Sequence, residues 1–246
     1  MPWGAIAIGA RAALQGRRGK NPRGAGAKPG TQLIEAAGLM LALALAGGHT
    51  AQGHDGAHAD AVKRSGPSAK QVALHDGMRK LWEDHITWTR LFIVSAAADL
   101  PDKQATTERL LRNQQDIGDA IKPFYGRAGG ERLSALLTEH ILVAADVLAA
   151  AKAGDQAAVE RHSQIWYRNG NQIADFLHKA NPRHWPRGEM RAMMREHLDL
   201  TLAEAVAHLT RDHRADIRAY DRIHHQILGM ADMLSDGIVD QFPKRF

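Results

Sequence analysis

The chain contains no cysteine in 246 residues. Disulfides, thiolate metal sites and cysteine nucleophiles are therefore excluded. It has no balanced excess of positive charge either. Of the 32 Lys and Arg, six fall in the first 59 residues against two acidic ones, leaving 26 basic and 25 acidic residues beyond. The formal +5 thus lies almost entirely in the first 59 residues, and no basic stripe with interleaved aromatics exists to grip nucleic acid. Segments alternating with a period of two are scarce, so essentially no sheet is expected. Hydrophobic residues at 44% and charged residues at 24% supply enough material for an ordinary globular core.

The start of the chain reads as an export signal. Arg17, Arg18, Lys20, Arg23 and Lys28 precede an apolar stretch over 36–46. Its length, about eleven residues, suits a signal-peptide hydrophobic region and is too short to span a bilayer. Ala44-Leu45-Ala46 offers a cleavage pattern and Ala51 a second one. We expect a signal peptide with a basic extension over 1–46, a flexible linker rich in Gly, Ala and His over 47–73, and a bundle over 74–246. The protein is then periplasmic or secreted, with no stable transmembrane helix in the mature chain. The alternative is a cytoplasmic protein with a disordered N-terminal extension. His49, His54 and His58 lie in the linker and read as solvated residues.

From Leu74 onward apolar residues recur at three and four, the period of a buried helix face. Six helices are expected, over about 75–99, 103–124, 130–152, 156–180, 187–211 and 213–240. Pro101, Pro123 with Gly126 and Gly129-Gly130, Gly154, and Asn181-Pro182 supply the stops. The fold class is all-α.

The helices repeat. Asp84-His85-Ile86, Glu139-His140-Ile141 and Glu196-His197-Leu198 place an acid-His-aliphatic triplet at intervals of 55 and 57. In the partner helices, Asn113 with Ile117-Gly118-Asp119 matches Asn169 with Ile173-Ala174-Asp175 at an interval of 56. Met230-Ala231-Asp232 follows after 57 more, with Gln226 in the asparagine slot. One hairpin cannot bury its apolar face alone, so three hairpins should share one core. The segments 81–90, 196–201 and 226–234 resemble a family of bacterial helical proteins whose members carry enzyme names such as glycosyltransferase or acetylglutamate kinase. The resemblance covers about 80–246 and implies the extent of the fold. It implies no mechanism, because the chain has neither a Gly-rich phosphate loop after a strand nor strands for an open sheet.

Each histidine of the triplets falls on a buried stripe. His85 lies between Leu81 and Trp88, His140 between Leu136 and Ala144, and His197 between Met193 and Leu200 or Thr201. A buried imidazole without a partner costs about 1–3 kcal/mol. Asn113, Asn169 and Gln226, or Asp119, Asp175 and Asp232, are available from neighbouring helices. Either these pairs fix helix register as a buried polar network, or the imidazoles converge on a transition metal, Zn, Cu or Fe. Asp84, Glu139 and Glu196 would supplement the ligands, although adjacent helical residues point about 100° apart. His225, with Asp221 one turn earlier, could extend the site, and His208 could form a second layer. Thr89 and Arg90 follow the first triplet, and Thr201 matches Thr89.

Three functions follow as expectations. The first is an exported bundle binding a transition metal at a pseudo-threefold core, for storage, buffering or sensing. The second is a metal-free structural or interaction bundle, which leaves a protein partner or homo-oligomer open. The third is an acid/base enzyme, which needs solvent access to His85. The balance leans away from an enzyme.

Overall fold

The computed structural model describes residues 66–246. The export signal and most of the linker expected from the sequence lie outside the described residues. Within them the chain is all-helical, as expected: α1 (Ala69–Ala97), α2 (Lys103–Ala153), α3 (Gln156–Ala180), α4 (Arg187–Leu209) and α5 (His213–Gln241), then a short 3₁₀ turn (Pro243–Arg245).

Helix α1 starts five residues earlier than the apolar period suggested. Ser68 Oγ accepts from Gln71 N at 3.2 Å, and the Gln71 side chain accepts from Ser68 N at 2.7 Å. This capping box satisfies two free backbone donors and extends the helix into the expected linker.

The larger difference concerns α2, which covers the second and third expected helices without a loop. Pro123 and Gly129-Gly130 are all accommodated in helix, and the interruption is confined to Gly126, at φ 75° and ψ 171°. That conformation is open essentially to glycine alone. The stretches on either side approach backbone to backbone. A Cβ at Gly118 would sit 2.5 Å from the Gly130 carbonyl oxygen, and one at Gly130 would sit 2.5 Å from that of Gly118.

Three helix ends close alike. Asp99, Gly154 and Arg211 adopt positive φ after α1, α2 and α4. The next N–H in each case reaches back over the last turn, from Leu100 to Ser95, Asp155 to Ala150 and Asp212 to Ala207, at 2.9–3.0 Å. This is the Schellman closure. Asp155 and Asp212 then cap α3 and α5 through their side chains.

The helices pack in chain order, and α5 closes on α1, while α1, α2 and α4 also meet one another. Met78, Trp82, Ile117, Ile173, Ile227 and Met230 are among the buried core residues. Met190, Met194 and Met230 pack there as apolar filler. Helix α2 is long and apolar enough by length and composition to cross a membrane, but half of its most apolar stretch is buried inside the bundle. The turn between α3 and α4 is pinned by Asn181, whose amide donates to the Gly237 carbonyl at 2.7 Å. Trp185 lies against Gly237 so closely that a Cβ there would fall 2.1 Å from the indole nitrogen.

Candidate functional site

His85, His140 and His197 come from α1, α2 and α4, the three helices that meet inside the bundle. All three are buried, at 2%, 3% and 4% exposure. Ring centroids of His85 and His197 are 5.8 Å apart, and those of His140 and His197 6.4 Å. The structure therefore brings the three rings together, with His197 next to each of the other two. Trp82 packs on His85 at 5.7 Å and Trp166 on His140 at 5.4 Å.

One hydrogen bond is made three times. Asn113 donates its amide to the Leu81 carbonyl at 3.0 Å, Asn169 to Leu136 at 3.1 Å and Gln226 to Met193 at 3.2 Å. Each acceptor lies one turn before a histidine of the layer. The amide nitrogen is thereby committed, and its oxygen is left to accept; that of Asn113 accepts from the Gln114 amide at 3.2 Å. That of Asn169 accepts from His140, with Nδ1 3.0 Å from Asn169 Oδ1. His140 must then carry its proton on Nδ1, leaving Nε2 with a free lone pair on the other side of the ring. The amides of Gln114 and Asn113 lie beside His85, and that of Gln226 beside His197. Nδ1 of both rings and Oε1 of Gln114 and Gln226 are buried without completing a hydrogen bond to another side chain or backbone group.

Burial keeps the layer neutral. Desolvation lowers His85 well below the ordinary histidine value, with the neighbouring rings adding to it. The same cause takes His140 to about 3 and His197 to about 4. Neutral imidazole is the form that binds a metal. His85 is 2% exposed, so the structure shows little of the solvent access that an acid/base role for it would need.

The carboxylates expected to join the histidines do not. Glu139 and Glu196 are exposed. Asp84 pairs with Lys80 at 2.6 Å. Asp119 is exposed and pairs with Lys122 at 2.5 Å. Asp175 takes bidentate bonds from Arg187 and Arg191, which hold it well below the usual carboxylate range. Asp232 is gripped by Arg79 at 2.6 and 2.7 Å. His225 is exposed on a surface groove with Glu196 and Asp221. The reason is angular: a residue next to a buried helical position, or two places beyond the apolar ones, faces the rim. Among the described residues, no three His, Asp or Glu side chains stand in a ready metal-holding arrangement.

A second buried polar group was not expected. Arg90 of α1 donates to Glu204 of α4 at 2.6 Å and to Asp216 of α5 at 2.8 and 3.3 Å. His208 Nδ1 stands 2.9 Å from Asp216 Oδ2, and the Arg90 guanidinium lies 4.9 Å from the centre of the Tyr220 ring. Burial raises Glu204 to about 7, against the pull of Arg90. Asp216 is lowered, because Arg90 and His208 together outweigh its burial. His208, expected as a second layer over the histidines, serves this group instead.

Comparison with protein families, with curated proteins and with solved structures finds no match to this chain.

Proposed function

We propose that the bundle is a carrier for a transition-metal ion, bound through Nε2 of His85, His140 and His197. The observation that carries this reading is the Asn169 bridge: an amide anchored to a helix carbonyl fixes the His140 tautomer and leaves a lone pair on Nε2 within a neutral, buried layer. Amides also lie beside His85 and His197, where Nδ1 completes no such bond, so the tautomer is fixed at His140 alone. Such outer hydrogen bonds are how proteins orient metal-binding imidazoles. We read the fold as three hairpins, with α2 counted as two helices hinged at Gly126. The recurring amide-to-carbonyl bonds and helix closures support that count.

The layer brings no negative charge, since its expected carboxylates are at the surface. A buried ion without a counter-charge is least costly when its own charge is smallest. Among Zn, Cu and Fe this favours cuprous copper, for storage, buffering or sensing. Ligands about 2.0–2.1 Å from one ion hold their rings about 5 Å apart. The observed 5.8 and 6.4 Å require the layer to draw inward on binding. Delivery outside the cytoplasm rests on the basic-apolar-small order of the first residues.

Anaerobic titration of the metal-free chain with Cu⁺, against a chromophoric competitor, tests this. One equivalent should bind, and His140→Ala should abolish it. Zn²⁺ and Co²⁺ should bind more weakly. If none of the three ions binds and the melting temperature ignores chelators, the proposal fails. The second reading then stands: a metal-free bundle whose histidine-amide bridges set helix register, as the three amide-to-carbonyl anchors suggest.

A further inference from the structure

An apolar cavity lies one helical turn beyond the histidine layer. Thr89, Ala144 and Thr201 line it, and each stands four residues after a histidine of the layer. Four residues on a helix is one turn on the same face. The cavity therefore lies one turn along the same faces as the three rings, which do not themselves line it. Phe92, Leu148 and Leu209 continue its walls toward the C-terminal ends of α1, α2 and α4. Its volume is about 40 Å³.

The lining has almost nothing to offer a polar molecule. Both threonine hydroxyls are spent on their own helices: Thr89 Oγ1 donates to the His85 carbonyl and Thr201 Oγ1 to the His197 carbonyl, each at 2.8 Å. Their methyl groups are what remains. The one uncommitted donor on the lining residues is the indole N–H of Trp166, which is buried without a partner. A water needs about two to four polar partners and roughly 10–15 Å³ of space, so the space suffices for water while the partners do not. A dry cavity of about 150 Å³ accepts benzene. This one is too small for an aromatic ring and large enough for a single xenon atom or a diatomic gas.

We propose that this cavity is a binding site for one apolar molecule of gas size, with at most one hydrogen-bond acceptor, held one helical turn from the histidine layer. It stands with or without a metal, so it is tested on the metal-free chain. The probe is xenon under pressure, followed by the indole N–H and methyl resonances. The Trp166 indole and the Leu148 and Leu209 methyls should shift saturably. The Trp185 indole, packed against Gly237, should not. Ala144→Leu places a side chain in the cavity and should weaken xenon at least about tenfold, equivalent to about 1.4 kcal/mol. Leu209→Ala widens the space and should strengthen binding. Shifts spread equally over all the indoles, or an unchanged response in Ala144→Leu, overturn the site. Should Ala144→Leu not fold, failure of Leu209→Ala to strengthen binding overturns it as well.

Discussion

The bundle buries two polar groups by opposite means. The histidine layer is neutral and lies beside amides that are anchored to backbone carbonyls at three places. The Arg90 group is charged, occurs once, and joins α1, α4 and α5. Glu204 falls seven residues after His197, the slot held by Phe92 after His85 and Val147 after His140. Glu204 is a carboxylate where those two positions hold apolar residues, and Arg90, Asp216 and His208 lie in its group. Burying neutral rings costs a few hydrogen bonds. Burying a carboxylate requires a paired cation.

Acid separates the two most strongly. The folded-state values of the three histidines lie below the unfolded one, with His140 at about 3 and His197 at about 4. Above the unfolded value neither state binds a proton. As pH falls through it, only the unfolded chain gains protons, and stability drops until the folded rings titrate. Glu204 runs the other way. It is raised to about 7, so between its unfolded value and 7 the folded chain holds the extra proton, and stability drops as pH rises. Each uncompensated proton is worth about 1.4 kcal/mol per pH unit. From pH 6.5 to 4.5 the histidines should therefore lose stability on acidification and Glu204 should offset one of the three. Urea melts across that range should give a slope of about two protons, rising to about three in Glu204→Gln. A flat profile in both proteins would mean the rings are open to protons.

Removing Arg90 is the next largest effect. Arg90→Met leaves Glu204 and Asp216 buried without their cation. Breaking a buried pair costs about 3–5 kcal/mol. The melting temperature should fall steeply at pH 8 and recover in part at pH 5, where Glu204 is protonated. Equal losses at both values would show that the arginine stem, and not its charge, is what matters.

The contrast also explains what could be read in advance. The layer was legible because three identical residues at one spacing leave a signature. The carboxylate ligands were not, because neighbours on a helix diverge by about 100°, and Asp84 and Asp119 went to lysines while Asp175 and Asp232 went to arginines. The Arg90 group was hidden for a different reason. Asp216, in the first turn of α5, looks like a solvated acid facing the helix dipole, and Glu204 has no counterpart seven residues after His85 or His140. Helix boundaries failed where one residue decides them. Gly129-Gly130 resembles a loop, yet Gly126 alone turns the chain.

Within the layer, the three amides should differ. Asn169 completes both bonds, to Leu136 and to His140, whereas Gln226 completes only the bond to Met193. Leaving a buried donor or acceptor unpaired costs about 1–3 kcal/mol. Asn169→Leu should lie toward the top of that range and Gln226→Leu toward the bottom. A double-mutant cycle between His140 and Asn169 should give a coupling of about 1 kcal/mol, and the same cycle between His197 and Gln226 less. Equal couplings would make the three bridges equivalent and remove the special standing of His140.

The smallest effect tests the turn that leads into the charged group. Arg211 has φ 62° just after His208, where the corresponding turn after α2 uses Gly154 at φ 73°. A residue with a Cβ is strained in this conformation by about 1–2 kcal/mol, while glycine is not. Glycine also makes the unfolded chain more flexible, which cancels part of the gain. Arg211→Gly should therefore stabilise the bundle by about 0.5–1 kcal/mol at any pH, a rise of a few degrees in melting temperature. Because the change removes no histidine or carboxylate, the pH slope should match that of the unaltered chain. If the slope changes instead, the turn and the His208–Asp216 contact are coupled, and the charged group extends one residue further than its hydrogen bonds indicate.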